Sequence, residues 1–124
     1  MPTFLNRGTT WLGDKLRLAA GRSIAYRRGL SSIPIVAVGV RHRRGVFGPD
    51  NLQNIITTYE WQIKASDLIL DAAVFEPRPG DVIAETTGGI TIKYQVLDLD
   101  ESTPCWEFLD EAGIEIIVHT KRVR

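Results

Sequence analysis

Tyr59-Glu60-Trp61-Gln62-Ile63-Lys64-Ala65 alternates apolar and polar side chains residue by residue. Successive side chains of a strand point to opposite faces. Tyr59, Trp61, Ile63 and Ala65 therefore turn toward a core, while Glu60, Gln62 and Lys64 turn toward water. The same alternation returns in Ile90-Thr91-Ile92-Lys93-Tyr94-Gln95-Val96, entered through the tight hairpin pair Gly88-Gly89. Between the two runs lies Pro77-Arg78-Pro79-Gly80-Asp81, where two prolines forbid regular pairing and Gly80-Asp81 opens a strand over 82–86.

Toward the C-terminus, 98–104 reads as an acidic loop, and 105–109 with 114–121 as a last hairpin around Asp110-Glu111-Ala112-Gly113. Toward the N-terminus, the third strand covers about 57–65, and Ser66 or Asp67 caps a single helical turn after it. The segment 42–56 holds Gly45, Gly48, Pro49, Asp50 and Asn51, breaks all periodicity, and reads as a long loop or wide hairpin tip. The second strand, 33–41, has two apolar faces, Ile35/Ala37 and Val36/Val38/Val40, which predicts a central strand covered on both sides. A turn at 29–32 joins it to a first strand at 22–28, with Ile24 and Tyr26 on one face. Leu12, Leu16, Ala19 and Ala20 recur at helical spacing behind Thr9 or Thr10, with Gly21 as a stop, and predict a short helix over 9–21. Residues 1–8 read as a flexible arm, with Phe4 and Leu5 as anchors on a neighbour. The expectation is a single, mainly β domain: a small antiparallel barrel or sandwich of six to seven strands over 22–121, preceded by one helix.

The chain has 124 residues, 44% apolar and 24% charged, which suits one folded domain with its own core. No apolar run approaches the ~18 residues of a membrane helix, and the first residues lack a long apolar stretch, so neither a membrane partner nor a secretory signal is expected. Cys105 is the single cysteine, which excludes an intramolecular disulfide framework and a cysteine-based zinc site and fits synthesis in a reducing cytoplasm.

The formal net charge is zero, but residues 1–50 carry +7, residues 51–120 carry −10 and residues 121–124 carry +3. Such a division is either neutralised inside the fold, with N-terminal strands beside C-terminal ones, or left as a basic and an acidic surface on one protomer. The second arrangement suits head-to-tail contacts between copies.

Arg41-His42-Arg43-Arg44, joined by Arg27 and Arg28, is the positive cluster, a candidate for contact with phosphate backbones or with acidic strands of a neighbour. No aromatic residue interleaves with these arginines to stack bases. Asp98, Asp100 and Glu101 form the densest acidic cluster; they lack the glycine and terminal glutamate of an EF-hand loop, and read as a solvated loop or an acidic interface. His42 and His119 have no paired histidine at metal-ligand spacing. Cys105, in Thr103-Pro104-Cys105-Trp106, has no visible thiolate-stabilising base and reads as a small buried hydrophobe. No catalytic, metal or cofactor-binding residue is expected.

Several of these segments resemble small phage and prophage neck proteins of the head–tail connector, or head-closure ("stopper"), family. The resemblance lies in Tyr59-Glu60-Trp61-Gln62-Ile63, Ala65-Ser66-Asp67-Leu68, Glu76-Pro77-Arg78-Pro79-Gly80-Asp81-Val82-Ile83, Tyr94-Gln95-Val96-Leu97 and Cys105-Trp106. Tyr26-Arg27-Arg28-Gly29 and the end of the last strand, 116–121, add to it. It implies a barrel that assembles as a homo-oligomeric ring between a portal–adaptor assembly and the tail, in a virion built in the bacterial host. It implies no reaction and no cofactor. Loops of such a ring face the DNA channel or the adjoining ring, and here the candidate is 42–56, with Arg43 and Arg44 at its root. Two other readings compete. A nucleic-acid-binding barrel of the OB type needs exposed aromatics, such as Tyr59 and Trp61, beside the arginines; a tail terminator shares the same scaffold. An enzyme would require Cys105, His119 and a carboxylate to converge.

Overall fold

The alternation at 59–65 belongs to the second half of a strand longer than its pattern announces. A computed structural model describes residues 15, 17, 19–47, 52–99 and 103–123, with the side chains of 44–47 and 53–56 left out. Its strands are β1 (Arg22–Arg28), β2 (Ser31–Phe47), β3 (Gln53–Lys64), β4 (Ile69–Leu70), β5 (Ala73–Val74), β6 (Val82–Thr87), β7 (Ile90–Val96), β8 (Trp106–Phe108) and β9 (Glu115–Val123). A single 3₁₀ turn, Ala65–Asp67, follows β3 where a helical turn is expected.

All pairings are antiparallel. The order β3-β2-β1-β6-β7-β9 closes on itself through β3–β9, so the fold is a six-stranded barrel and not a sandwich; β8 adds to the free side of β9. Closure removes the sheet edges that an open sheet of this size would expose. β9 makes it possible by dividing one of its edges between two partners. Its first half pairs with β8 from Phe108↔Ile116 to Trp106↔Val118, and its second half pairs with β7 from Val96↔Thr120 to Lys93↔Val123.

The inward row is the one set by the alternation. Tyr26, Trp61, Ile63, Ile83, Val96 and Val118 are fully buried, and Ile24, Ile35, Ala37, Tyr94 and Ile116 join the same cluster. Tyr94 packs against both Tyr59 (centroids 4.7 Å apart) and Trp61 (5.3 Å). Gly39 lies opposite Trp61 in the β2–β3 register, where a Cβ would come within 2.8 Å of the indole. A side chain at this position would push the largest core residue aside, so glycine here serves close packing.

Three expectations need correction. First, of the two readings of 42–56, a long loop or a wide hairpin tip, the loop does not hold for 42–47 and 53–56: β2 runs to Phe47, β3 starts at Gln53, and the register continues through Arg44↔Ile56 to Phe47↔Gln53. β1 leaves β2 at Arg22↔Ala37 and β9 leaves β3 at Tyr59↔Thr120, so beyond these points β2 and β3 form a two-stranded ribbon outside the barrel wall. Second, β2 is not covered on both sides. Ile35, Ala37 and Val38 are buried, but Val36 and Val40 are 41% and 54% exposed. Third, the helix over 9–21 is not an element among the described residues, and most of that stretch lies outside them. What is described there is helical backbone at Lys15, Arg17, Ala19 and Ala20, with Gly21 N–H donating to the Arg17 carbonyl at 2.8 Å. The arm at 1–8 also lies outside the described residues.

Candidate functional site

The strand directions give the barrel two ends of opposite character. At one end stand Arg22, the β2–β3 ribbon, the β6–β7 turn and the last residues of β9. At the other stand the 3₁₀ turn, the β4–β5 hairpin, the 77–81 turn and the β8–β9 turn.

The basic residues gather at the first end. Past Tyr59↔Thr120, β9 swings away from β3 to follow β7, and the two strands part like a fork. The Thr120 hydroxyl closes the crotch by donating to the Tyr59 carbonyl at 2.8 Å. The opened wedge, about 480 Å³, is lined by Arg41, Thr57, Tyr59, Lys121 and Arg122. Arg41, Lys121 and Arg122 are exposed and form no ion pair with a described acid. Three cations around one wedge, with a hydroxyl and a phenol beside them, concentrate positive charge at this end of the barrel. Arg43, also exposed, stands one strand period farther out on the ribbon, and the backbone of Arg44 pairs with Ile56.

The other predicted arginines are placed differently. Arg27 is half-buried in β1 beside Val82. Arg28 is committed to Asp81: Nε donates to Oδ1 at 3.0 Å and Nη2 to Oδ2 at 2.8 Å, while Nη2 also reaches the Glu76 carbonyl at 2.6 Å. Asp81 Oδ2 accepts further from the Tyr26 hydroxyl at 2.6 Å and from Arg78 N–H at 2.9 Å. Burial alone would raise the Asp81 carboxyl, but the hydrogen bonds from Arg28, Tyr26 and Arg78 outweigh it and hold the group below the usual carboxylate range. The same burial, with the bond to Asp81, pushes the Tyr26 phenol up. This clamp ties β1 to the proline turn.

The acidic end carries exposed Asp98; Asp100 and Glu101 lie outside the described residues. Exposed Asp67, Asp71, Glu76, Glu107 and Glu111 share that end. Glu76 borders a cavity of about 210 Å³ whose other walls include Leu68, Phe75, Trp106, Phe108 and Ile116.

Part of the charge division is neutralised internally, each time by an N-terminal base and a C-terminal acid. Arg17 meets Glu115 at 2.8 Å with both side chains buried, Arg22 meets Glu85 at 3.1 Å, and Arg28 meets Asp81. Most of what is left over is sorted between the ends, with exposed Arg78 the cation that stands at the acidic one.

Cys105 and His119 face different partners. The thiol lies 3.6 Å from the Pro77 carbonyl, and burial, followed by the nearby Asp98 charge, pushes its pKa up. The His119 ring, 2% exposed, sits between carboxylates, with Nε2 3.1 Å from Glu107 and Nδ1 3.4 Å from Glu60. His42 is exposed on the ribbon. Among the described residues no group of three or more His, Cys, Asp or Glu side chains is placed to hold a metal ion, and no helix is long and apolar enough to cross a membrane. Trp61 is fully buried and Tyr59 half-buried against Tyr94, so the aromatics that an OB-type reading needs are held in the core packing.

Sequence reasoning found Arg41 and Arg43 but did not join them to Lys121 and Arg122. The signal available was the +3 charge of 121–124 at the end of a strand that antiparallel pairing returns to the level of Arg41. The Asp81 clamp was missed as well, because Gly80-Asp81 reads locally as a strand entry.

Among curated proteins none matches the chain. The sequence profile of the family described as phage head-tail joining protein matches residues 3–124. With nearly its whole length matched on a closed barrel, the chain belongs to the phage head-tail joining protein family.

Proposed function

We propose that this protein is a structural subunit of the neck, the interface between phage head and tail, where copies form a ring that joins the portal–adaptor assembly to the tail and helps to retain packaged DNA. The observation that carries the reading, beyond the family, is the sorting of unneutralised charge between the two ends of one barrel, basic at the Arg41/Lys121/Arg122 wedge and acidic around Glu76, Asp98 and Glu111. A subunit of this kind attracts a copy in the same orientation end to end and repels one held level beside it, so neighbours offset from one another make favourable heterologous contacts of the kind that close into rings. The basic end supplies non-specific attraction for duplex DNA in a channel, with no base readout required. The stopper role is the finer form of this proposal, and the virion neck is the proposed location.

The test is incubation of the purified protein with the cognate portal–adaptor complex, read by electron microscopy and native mass spectrometry. A ring of this protein on the complex is expected. Failure to bind, in a phage that needs this gene to keep its packaged DNA, overturns the reading.

A further inference from the structure

Two strand edges of the barrel fit one another. β8 pairs with β9 on one side alone. His119 N–H donates to the Cys105 carbonyl and Leu109 N–H to the Glu115 carbonyl, so residues 105, 107 and 109 face β9. The N–H and C=O groups of Trp106 and Phe108 therefore point to the other side, where no strand of the described residues pairs. An unpaired edge of this kind is a template for an added strand. Its two faces differ. Trp106 and Phe108 border the 210 Å³ apolar cavity, with Phe108 57% exposed, whereas Glu107 points to the opposite face and keeps a half-exposed carboxylate.

The β2–β3 ribbon is the complementary piece. Beyond Ala37 the outer edge of β2 has no sheet partner among the described residues. Along that edge Val40, 54% exposed, points to one face, and Arg41 and Arg43 point to the other. An apolar/acidic edge and an apolar/basic edge match face for face. In an antiparallel register that seats Val40 beside Phe108, Arg43 lies diagonally across from Glu107, within reach of a long side chain.

We infer that the ribbon edge of one copy adds to the β8 edge of the next, with Val40 seated against the apolar cavity and Arg43 paired with Glu107. The inference rests on the reading of the chain as a ring subunit and names the contact between neighbours. The ribbon edge and the β8 edge are different strand edges of the same barrel, so the contact is heterologous and each copy uses both halves of it. The wedge at Arg41, Lys121 and Arg122 belongs to the barrel rim, and the contact assigns Arg43, farther along the ribbon, to the neighbour.

The experiment mixes two full-length variants, Val40→Cys and Phe108→Cys, at high concentration under mild oxidation without any portal complex. With the two variants mixed in equal amounts, the mixed disulfide dimer is expected well above the twofold statistical excess over either homodimer, since Cys105 is buried. Adding Arg43→Glu to the Val40→Cys copy lowers its yield about threefold, the worth of one exposed cross-strand charge pair reversed. A mixed dimer no more than twice as abundant as either homodimer, or a yield that Arg43→Glu leaves unchanged, overturns the inference. A mixed dimer formed by a protein that nevertheless fails to bind the portal–adaptor complex keeps this contact and discards the neck reading, so the two failures are separable.

Discussion

Asp81 gathers four hydrogen bonds onto one carboxylate, from the Tyr26 hydroxyl, two Arg28 nitrogens and Arg78 N–H. Bonds to a charged group contribute about 1.5–3 kcal/mol each when measured by deletion, and they are not additive. Asp81→Asn keeps the shape but loses the charge and one acceptor, leaving Arg28 three-quarters buried without its counter-ion. The variant is expected to lose about 2–3 kcal/mol at neutral pH, measured by urea unfolding. The pH dependence follows from the direction of the shift. A carboxyl held below its ordinary range contributes stability that is complete above the unfolded-state value near about 4, and that is lost as pH falls through the lower folded-state value. The difference between wild type and Asp81→Asn therefore shrinks on acidification below about pH 4, and a difference that grows there contradicts the assignment. Cys105 gives a second residue-scale outcome. It is 4% exposed and its thiol is pushed up by burial, so an aromatic disulfide reagent at pH 8 reacts on the timescale of unfolding; prompt reaction in the folded protein contradicts the placement. The burial of Cys105 was legible in its flanking residues. The role of Asp81 was not, because Tyr26 and Arg28 stand more than fifty positions away and only closure of the barrel through β1–β6 brings them to the turn.

At the scale of elements, hairpins show where local chemistry decides and where tertiary packing overrides it. Gly88 and Gly89 both adopt positive φ, 59° and 80°, as a two-residue turn between β6 and β7 requires, and this hairpin was readable directly. The β4–β5 hairpin uses the same backbone at Asp71 (φ 52°) and Ala72 (φ 63°) with no glycine, and nothing in Leu70-Asp71-Ala72-Ala73 announces it. Left-handed backbone at a residue with a Cβ costs about 1–2 kcal/mol, and aspartate tolerates it better than alanine. Ala72→Gly relieves the strain while adding disorder to the unfolded chain, worth about 0.4–1 kcal/mol in the other direction. The net expectation is a gain of about 0.5–1 kcal/mol, seen as a rise of a few degrees in Tm; a fall in Tm shows that the alanine is unstrained. The ribbon makes the converse point. Gly45, Gly48, Pro49, Asp50 and Asn51 break the alternation, so 42–56 reads as a long loop or a wide hairpin tip. Register carried over from Val38↔Gln62 keeps the two strands paired out to Phe47↔Gln53, which no local pattern reports.

For the whole molecule, the +7 and −10 segments are neither fully neutralised nor fully exposed. Arg17, Arg22 and Arg28 are spent on Glu115, Glu85 and Asp81 across the barrel, each pair joining sequence-distant strands. Arg41, Lys121 and Arg122 remain around the wedge where β3 and β9 part, and a field concentrated between low-dielectric walls attracts a polyanion more strongly than the same charges spread out. Charge counting along the sequence revealed the division but not this focus, which depends on β9 returning beside β3. If the wedge meets duplex phosphates, binding weakens linearly in log salt, with a slope of about 0.9 per phosphate contact. Arg41→Gln with Arg122→Gln removes two contacts and should reduce that slope by about 2, with no preference among DNA sequences gained or lost. Fluorescence anisotropy of a short labelled duplex, titrated between about 50 and 200 mM salt, measures it. Arg27→Gln is the matched control: it removes one positive charge from half-buried β1, away from the wedge, and leaves the slope as it is in the wild type. A loss in Arg27→Gln half as large as in the double variant would assign the attraction to net charge alone, whereas a loss confined to the wedge variant assigns it to the fork between β3 and β9.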